Sequence, residues 1–420
     1  MELDAVDVRI VDHFIRERLR ERVTVDVPAS GKVERTFAFK AGDSKDYRIH
    51  IELREGRTGD SLMRHLLTDV TIGMRPTIVL SGDWEMLLPG NDALTFPPEG
   101  NWERVQIPMR NYGGWRAKNH RAWFRKRFAI PKAFAGRHII VRFEAVAHHA
   151  VVYVNGKRIG EHLGGFEPFE FDITHVAKVG AENELLVGVT DWLAGLVDGV
   201  KPPDDPEKLP NHCMLTPYGT RPHARRGIWD DVFLFVRDAV YIADVFVMPS
   251  VREGALAIAM ALRNETDGNV RITVTNEVWD GDKRVLTFPK RTVRLRANDA
   301  TEIRLVRVWR NPHLWFPFDP HLYRLRTRIE VNGRTVDEIN TRFGFREFWI
   351  DGINYRLNGR IFKLRGLGCP PIGAGRDEIR KYFVERLSAN FTLVRFHMMP
   401  RAKHYYEIAD EVGMCVKDES

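Results

Sequence analysis

The sequence predicts a multidomain, mainly β protein in which a succession of β-sandwich modules precedes a short unit of alternating strands and helices. Up to about residue 345, segments with alternating apolar and polar residues recur between turn signals such as Asn155-Gly156 and Asn332-Gly333, as is typical of sandwiches. From residue 346, the apolar residues change to helical spacing in two places. The 420 residues, of which 44% are hydrophobic, are enough for two to four domains at roughly 100–200 residues each.

The region before residue 241 divides into two predicted domains. Residues 1–76 contain alternating segments that predict a small β-sandwich or part of one. Residues 77–240 predict a jelly roll, because short strands recur between turns; we expect three of them at residues 137–146, 149–154 and 183–189. Residues 192–226 are rich in Pro, Gly and Asp, which predicts a long loop.

The remaining chain predicts one more sandwich and then a different architecture. Residues 241–345 predict an immunoglobulin-like β-sandwich, because about 100 residues with alternating segments suit seven or so strands. Residues 346–420 show the order strand, helix, strand, helix, strand, which opens a parallel α/β unit. Its strands are expected at 361–365, 391–396 and 414–416, and its helices at 377–390 and 401–412, with Gly413 ending the second helix.

Composition and charge exclude several classes of function. The formal net charge is +7, but the arginines are interspersed with acidic residues, so no nucleic-acid partner is predicted. Residues 1–10 lack the apolar run of a signal peptide, and no stretch approaches 18 apolar residues, so neither a signal peptide nor a membrane span is predicted. The sequence leaves the location and the oligomeric state open.

Cysteine and histidine usage predicts no metal site and no cofactor. The three cysteines, Cys213, Cys369 and Cys415, are far apart and odd in number, so neither a disulfide framework nor a zinc site is expected. The fifteen histidines form no HExxH motif.

Several short motifs, taken in their order and spacing over residues 77–420, resemble family 2 of the glycoside hydrolases. This is the group of β-galactosidases, β-glucuronidases and β-mannosidases. The motifs that carry the resemblance are Trp123-Phe124-Arg125, Phe143-Glu144-Ala145-Val146, Gly164-Gly165-Phe166-Glu167-Pro168-Phe169, Gly227-Ile228-Trp229-Asp230-Asp231-Val232, Trp309, Trp315, Tyr323, Gly344-Phe345-Arg346, Leu357-Asn358-Gly359 and Leu364-Arg365-Gly366.

The resemblance implies a galactose-binding-like jelly roll and an immunoglobulin-like sandwich, followed by a (β/α)8 TIM barrel of which residues 346–420 would form the first three strands. It also implies retaining hydrolysis of O-glycosyl bonds by two Glu residues about 5 Å apart. In the family, the acid/base Glu follows an Asn at the end of the fourth strand, and the nucleophile lies on a later strand. Both are therefore expected beyond Ser420, so this chain is expected to be an inactive fragment without catalytic residues.

The resemblance also implies three substrate-binding residues and a carbohydrate as the binding partner. Arg395 and His397 would stand at the end of the second strand and Glu419 after the third, where side chains face a sugar at the barrel mouth. The planar guanidinium of Arg395 can hold hydroxyl groups. The alternative is that Arg395 has a structural role only and pairs with Glu419 or Asp418.

The sequence departs from the galactosidase pattern in two places. Leu367-Gly368-Cys369-Pro370 stands where that pattern has an Asn and a His, and the histidine expected before Pro400 falls on Met398. These departures favour a branch that acts on another glycoside.

Two other hypotheses remain open. The chain could be a non-catalytic carbohydrate-binding or adhesion protein, since β-sandwiches often have that role. It could also be a subunit that a second polypeptide completes. Residues 346–420 favour the glycoside hydrolase, because a binding protein does not need the start of a barrel.

Overall fold

The computed structural model describes residues 3–12, 17–23, 46–55, 61–71, 75–90, 94–109, 121–191, 226–397 and 399–419, the first four ranges as backbone strands only. Met398 and nearly all of the loop predicted at 192–226 lie outside the described residues. Strands dominate the described chain, as predicted. None of the helices in these ranges has the length and apolar character needed to cross a membrane.

Four strands near the N-terminus form a single antiparallel sheet. They are β1 (Leu3–Asp12), β2 (Glu17–Val23), β3 (Asp46–Glu55) and β4 (Ser61–Thr71). Their order across the sheet is β2-β1-β3-β4. A small β-sandwich or part of one was predicted for residues 1–76, and the described backbone of this region contains this one sheet.

The next twelve strands form a two-sheet sandwich, which we call the first sandwich. They are β5 (Thr77–Val79), β6 (Gly82–Leu87), β7 (Glu103–Ile107), β8 (Arg121–Ala129), β9 (His138–Phe143), β10 (Val146–Ala147), β11 (His149–Val154), β12 (Lys157–Leu163), β13 (Phe169–Asp172), β14 (Glu182–Thr190), β15 (Gly227–Ile228) and β16 (Val232–Arg237). A short 3-10 helix (Lys132–Phe134) links β8 and β9.

The two main sheets of the first sandwich enclose one apolar core. The six-stranded sheet has the order β12-β11-β14-β8-β6-β7 and the four-stranded sheet the order β13-β9-β16-β5, while β10 pairs with β15. Alternation places Ala150, Val152 and Val154 of β11 in this core. Asn155 (φ +50°) and Gly156 (φ +80°) form the predicted hairpin turn into β12.

The second sandwich packs a three-stranded sheet on a five-stranded one. Its strands are β17 (Val240–Ser250), β18 (Ala255–Asn264), β19 (Val270–Asp280), β20 (Lys283–Thr287), β21 (Arg291–Leu295), β22 (Asp299–Val308), β23 (Tyr323–Val331) and β24 (Arg334–Phe343). The smaller sheet has the order β17-β18-β22, and the larger has the order β20-β19-β23-β24 with β21 also on β19. Their facing residues form a separate apolar core.

A small hairpin sheet leads into the α/β unit. The hairpin consists of β25 (Phe348–Asp351), β26 (Asn354–Leu357) and β27 (Arg360–Ile361). The α/β unit consists of β28 (Gly366–Leu367), α1 (Arg376–Ser388), β29 (Leu393–Phe396), α2 (Lys403–Val412) and β30 (Cys415–Asp418). The strands β28, β29 and β30 are parallel neighbours, so the predicted order of strands and helices is observed.

The first strand of this unit lies later than predicted. A strand was expected at 361–365, but Arg360–Ile361 pairs with β26, and the parallel sheet begins only at Gly366. Asn358 (φ +52°) and Gly359 (φ +85°) turn the chain back on itself, so residues 360–361 bond to the hairpin first. Alternation along a strand does not reveal which neighbour the strand will bond to.

Gly413 ends α2 as predicted. It has φ +89°, and its N–H donates to Ala409 O at 3.0 Å, which is the left-handed ending that glycine favours. A Cβ at this position would lie 3.1 Å from the backbone at Pro317 and Phe318. Glycine is therefore also required for the close approach of the second sandwich.

We expect Gly344→Ala to lower the free energy of unfolding by about 1–3 kcal/mol, because overpacking a filled site forces neighbours to move. A Cβ at Gly344 would lie 2.9 Å from Cβ and Cδ1 of Trp315, a side chain that is 2% exposed. Urea denaturation measures the change. Gly268→Ala is the control, since nothing lies within 4 Å of a Cβ there, and equal losses in both variants would contradict the prediction.

Candidate active site

A polar cluster lies at the carboxyl edge of the parallel sheet. The Arg395 guanidinium donates to Glu419 through Nε, and its Nη2 lies 3.0 Å from Glu419 Oε2 and 2.8 Å from His397 Nδ1. His397 Nδ1 is in turn 3.2 Å from Glu419 Oε2. The three residues predicted from the sequence as a substrate-binding set are therefore in mutual contact, and the pairing of Arg395 with Glu419 is present.

The register of the parallel strands explains why these residues meet. Phe396 of β29 lies opposite Asp418 of β30, so the two strands end at the same level. Val394 and Phe396 are fully buried against the helices. Arg395, between them, points to the opposite side and is exposed, where Glu419 can reach it.

Cys369 belongs to the same edge, although the sequence analysis did not assign it to the site. It follows β28, and its Sγ accepts a hydrogen bond from His397 N at 3.3 Å. Tyr382 of α1 donates to the carbonyl oxygens of Gly368 (3.2 Å) and Cys369 (3.1 Å), which holds this turn in place. The position of Cys369 shortly after the first parallel strand was the signal that could have identified it.

Tyr406 also contacts this edge, a role in the site that was not assigned from the sequence. Its hydroxyl donates to Asp418 Oδ2 and accepts from Arg401 N at 3.2 Å. Burial and the hydrogen bond to Asp418 raise the pKa of Tyr406, so the phenol stays protonated. Tyr406 therefore anchors the end of β30 to α2.

The cluster is suited to binding rather than to acid–base chemistry. Arg395 and His397 are each 48% exposed at the side chain, so they are open to a ligand. Both acidic residues at the edge are engaged, Asp418 by Tyr406 and Glu419 by Arg395. The arrangement offers guanidinium donors and carboxylate acceptors, which together can hold a hydroxyl group.

An Asn-Glu pair is the pattern of the family's acid/base residue, and the sequence contains three such dipeptides, at 183–184, 264–265 and 276–277. All three lie in the sandwiches, where their asparagines bond to neighbouring backbone or side-chain groups and their glutamates pair with arginines. The pairs are Glu184 with Arg127 at 3.9 Å, Glu265 with Arg237 at 2.8 Å and Glu277 with Arg284 at 2.7 Å. None of the three lies at the parallel sheet.

The first sandwich packs directly against the α/β unit. Trp229 is 3% exposed and belongs to the same apolar cluster as Phe383 of α1 and Tyr405 of α2. Its indole N–H donates to Gly165 O at 2.8 Å, and Phe166 packs edge-on against it at 5.8 Å. The Gly164-Gly165-Phe166 motif thus supports the contact between the two parts.

Asp230 joins these two parts by a hydrogen bond at the start of a helix. Its Oδ2 accepts from Lys403 N at 3.1 Å, in the first turn of α2, where the helix has no side-chain cap of its own. Asp230 is 5% exposed. Burial and the neighbouring Asp231 carboxylate raise the pKa of Asp230 to about 7, although the amide hydrogen bonds from Lys403 and Asp231 oppose this.

Within the described residues, one group has metal-ligating atoms in close proximity. The ligand atoms of His138, Asp172 and Glu265 lie within 4.8 Å of one another. His138 Nδ1 already bonds to Asp172 at 2.6 Å, and Glu265 accepts from Arg237 (2.8 Å) and Tyr241 (2.8 Å). Because the guanidinium holds Glu265, the group is a hydrogen-bonded contact between the two sandwiches, and we do not assign it to a cation.

Two sequence models of one family match successive parts of the chain. Residues 72–235 match the model described as glycosyl hydrolases family 2, sugar binding domain, and residues 240–346 match the model described as glycosyl hydrolases family 2. The two matched ranges correspond to the first and second sandwiches and together cover more than half of the chain. The chain belongs to glycoside hydrolase family 2.

Curated relatives agree with this assignment to family 2. The chain is 28% identical over 370 residues to a β-galactosidase of Thermoanaerobacter pseudethanolicus, covering 82% of this chain and 46% of the relative. It is 27% identical over 308 residues to a β-glucuronidase of Paenibacillus borealis, covering 71% and 49%. The family 2 chain thus spans about half the length of these relatives.

Solved structures share the fold at lower identity. A Bacteroides uniformis β-glucuronidase 2, covalently bound to cyclophellitol-6-carboxylate aziridine, matches with a TM-score of 0.66 at 22% identity, covering 82% of this chain and 42% of that one. A β-galacturonidase from Eisenbergiella tayi, bound to galacturonate, matches with a TM-score of 0.64 at 20% identity, covering 83% and 58%.

We expect Asp230→Asn to reduce the pH dependence of stability. With a native pKa of about 7 against an ordinary value of 3.8, the native state binds more protons than the unfolded state between these pH values. The free energy of unfolding therefore falls as the pH rises from about 4 to about 7, by roughly 1–4 kcal/mol from this group.

Urea denaturation at pH 5 and pH 8 measures the free energy of unfolding at each pH. Its decrease from pH 5 to pH 8 should be smaller in Asp230→Asn than in the wild type. Asp244→Asn is the matched control, since Asp244 is exposed on β17 and should leave the fall unchanged. An identical fall in wild type and Asp230→Asn would show that Asp230 does not titrate in this range.

Proposed function

We propose that this chain provides the carbohydrate-binding front part and the first barrel strands of a retaining glycosidase that hydrolyses O-glycosyl bonds. The observation that carries the proposal is the cluster of Arg395, His397 and Glu419 at the carboxyl edge of a parallel sheet that follows two family 2 modules. The carboxyl edge is where (β/α)8 barrels hold their substrates. The names of relatives suggest a β-galactoside or a β-glucuronide as substrate, and the departures from the galactosidase pattern at residues 367–370 and 398 favour a glycoside other than a β-galactoside.

The barrel assignment is supported by the geometry of the α/β unit. In the described sheet, β28 and β30 each pair with β29 alone, so both outer edges can accept further strands. The helices α1 and α2 pack together on the apolar side chains of β29, as the outer helices of such a barrel do. The unit corresponds to the first three strands of eight.

The mechanism of retaining hydrolysis separates the substrate-binding residues of this chain from the two catalytic carboxyl groups. One carboxylic acid must protonate the leaving oxygen while a carboxylate attacks the anomeric carbon from the other side, so two carboxyl groups about 5 Å apart are needed. Asp418 and Glu419 are engaged by Tyr406 and Arg395, and we assign neither to these roles. We place the acid/base and the nucleophile on later barrel strands outside these 420 residues, and assign this chain to substrate binding.

The proposal is tested with a panel of nitrophenyl β-galactoside, β-glucuronide, β-galacturonide and β-mannoside. The product of the complete open reading frame that contains these codons should hydrolyse at least one of them, and the 420-residue chain should hydrolyse none above the buffer rate. Turnover by the 420-residue chain would contradict the placement of the carboxylates. If the complete product binds carbohydrate but hydrolyses none, the alternative of a non-catalytic carbohydrate-binding protein is correct.

In the protein encoded by the complete open reading frame, we expect Arg395→Ala to lower kcat/KM about tenfold to hundredfold. The reason is that a hydrogen bond to a charged group contributes about 1.5–3 kcal/mol. Arg395→Lys should lose less, because it keeps the charge but not the planar fork. Arg307→Ala, at an exposed arginine of β22, is the control and should leave kcat/KM unchanged. Unaltered kinetics in Arg395→Ala would remove Arg395 from the binding site.

A further inference from the structure

The six-stranded sheet of the first sandwich carries a second apolar cluster on the side away from the main core. Leu87, Trp123 and Leu186 are buried there, and Leu94, Trp102 and Tyr153 pack against them. A solvated sheet face is normally polar. This face is therefore unusual, because it has an ordered aromatic layer of its own.

The layer depends on a glycine in the sheet, where no side chain projects from the outer face. Val151, Gly188, Trp123 and Leu87 lie side by side across four strands. A Cβ on Gly188 would lie 3.1 Å from the Trp123 ring, which is tighter than ordinary van der Waals contact. The missing side chain lets the indole of Trp123 lie over the sheet, where it supports the aromatic residues above it.

The outermost ring of this layer is already held in a fixed orientation. Phe96 stacks on Tyr153 with ring centroids 4.1 Å apart and an interplanar angle of 9°. The Phe96 residue is nevertheless 42% exposed. An aromatic ring that is ordered before binding loses little conformational freedom when a ligand stacks on it.

Paired charges lie beside the rings. Arg125 lies 4.0 Å from the ring of Trp102 and donates to Glu85 at 2.7 Å. Arg127 pairs with Glu184 at 3.9 Å one position further along the same face. Each pair offers donors and acceptors without net charge, which suits hydroxyl groups better than an anionic ligand.

We propose that the Phe96–Tyr153 stack and the Arg125–Glu85 pair form a binding surface for neutral oligosaccharides on the outer face of the six-stranded sheet. The C–H faces of a pyranose ring would stack on Phe96, and its hydroxyls would bond to the neighbouring Arg–Glu pair. This inference rests on the proposed carbohydrate-binding role and makes it specific, because it names the surface, its residues and a neutral ligand bound away from the parallel sheet.

Affinity gel electrophoresis of the 420-residue chain tests the surface, with galactomannan, arabinogalactan or xyloglucan in the gel. At least one of these neutral polymers should retard the wild type, and Phe96→Ala should weaken that binding about tenfold or more, as for a buried aromatic anchor. Phe96→Trp should keep the binding, because it retains a ring that can stack on Tyr153. Far-UV circular dichroism and the thermal midpoint confirm that each variant is folded.

Phe348→Ala is the matched control. Phe348 is 48% exposed and stacks on Tyr355 with ring centroids 5.6 Å apart in the hairpin sheet. It is therefore a similar exposed aromatic pair outside the proposed surface, and Phe348→Ala should not change the retardation. Unchanged binding in Phe96→Ala, or retardation by none of the neutral polymers, would overturn the inference. Retardation only by polygalacturonate that disappears in about 0.5 M NaCl would also overturn it, since that binding would be electrostatic.

Discussion

The contact between the first sandwich and the α/β unit is the constraint on which the candidate site depends. The strands β29 and β30 have four residues each, so their position is set by what packs against them. Trp229 lies in the apolar cluster that includes both helices, and Asp230 bonds to the start of α2. A displacement of this contact would move the ends of the strands and separate Arg395 from Glu419.

The second sandwich fixes the other side of the same unit through a buried charge. The carboxylate of Glu411 in α2 is fully buried and is contacted by Arg342 of β24 at 2.6 Å and by Arg380 of α1. Removing one partner from such a group is costly, because it leaves a charge without compensation away from water. The close approach at Gly413 adds a steric requirement. Both sandwiches thus hold the two helices, and the helices hold the sheet.

The polar edge and the aromatic face offer different physical interactions for the carbohydrate binding that we propose. At the edge of the parallel sheet, Arg395 and Glu419 offer a compact charged pair on short strands. On the six-stranded sheet, the Phe96 ring offers apolar stacking beside charge-neutral pairs. Carbohydrates have both hydroxyl groups and apolar C–H faces, so a protein that handles them can use both kinds of surface.

Local sequence patterns were enough to predict most elements and their order along the chain. Alternation and Asn-Gly turns predicted the sandwich strands, and helical spacing with Gly413 predicted α1 and α2, because these signals depend on local backbone preferences. The motifs also predicted the family and a common location for Arg395, His397 and Glu419 at the strand ends. Three features came to light in the folded chain alone: residues 360–361 bond to the hairpin, Cys369 joins the edge and Asp230 caps α2. Those features depend on which distant groups become neighbours, and a periodic pattern along one segment carries no information about its partner.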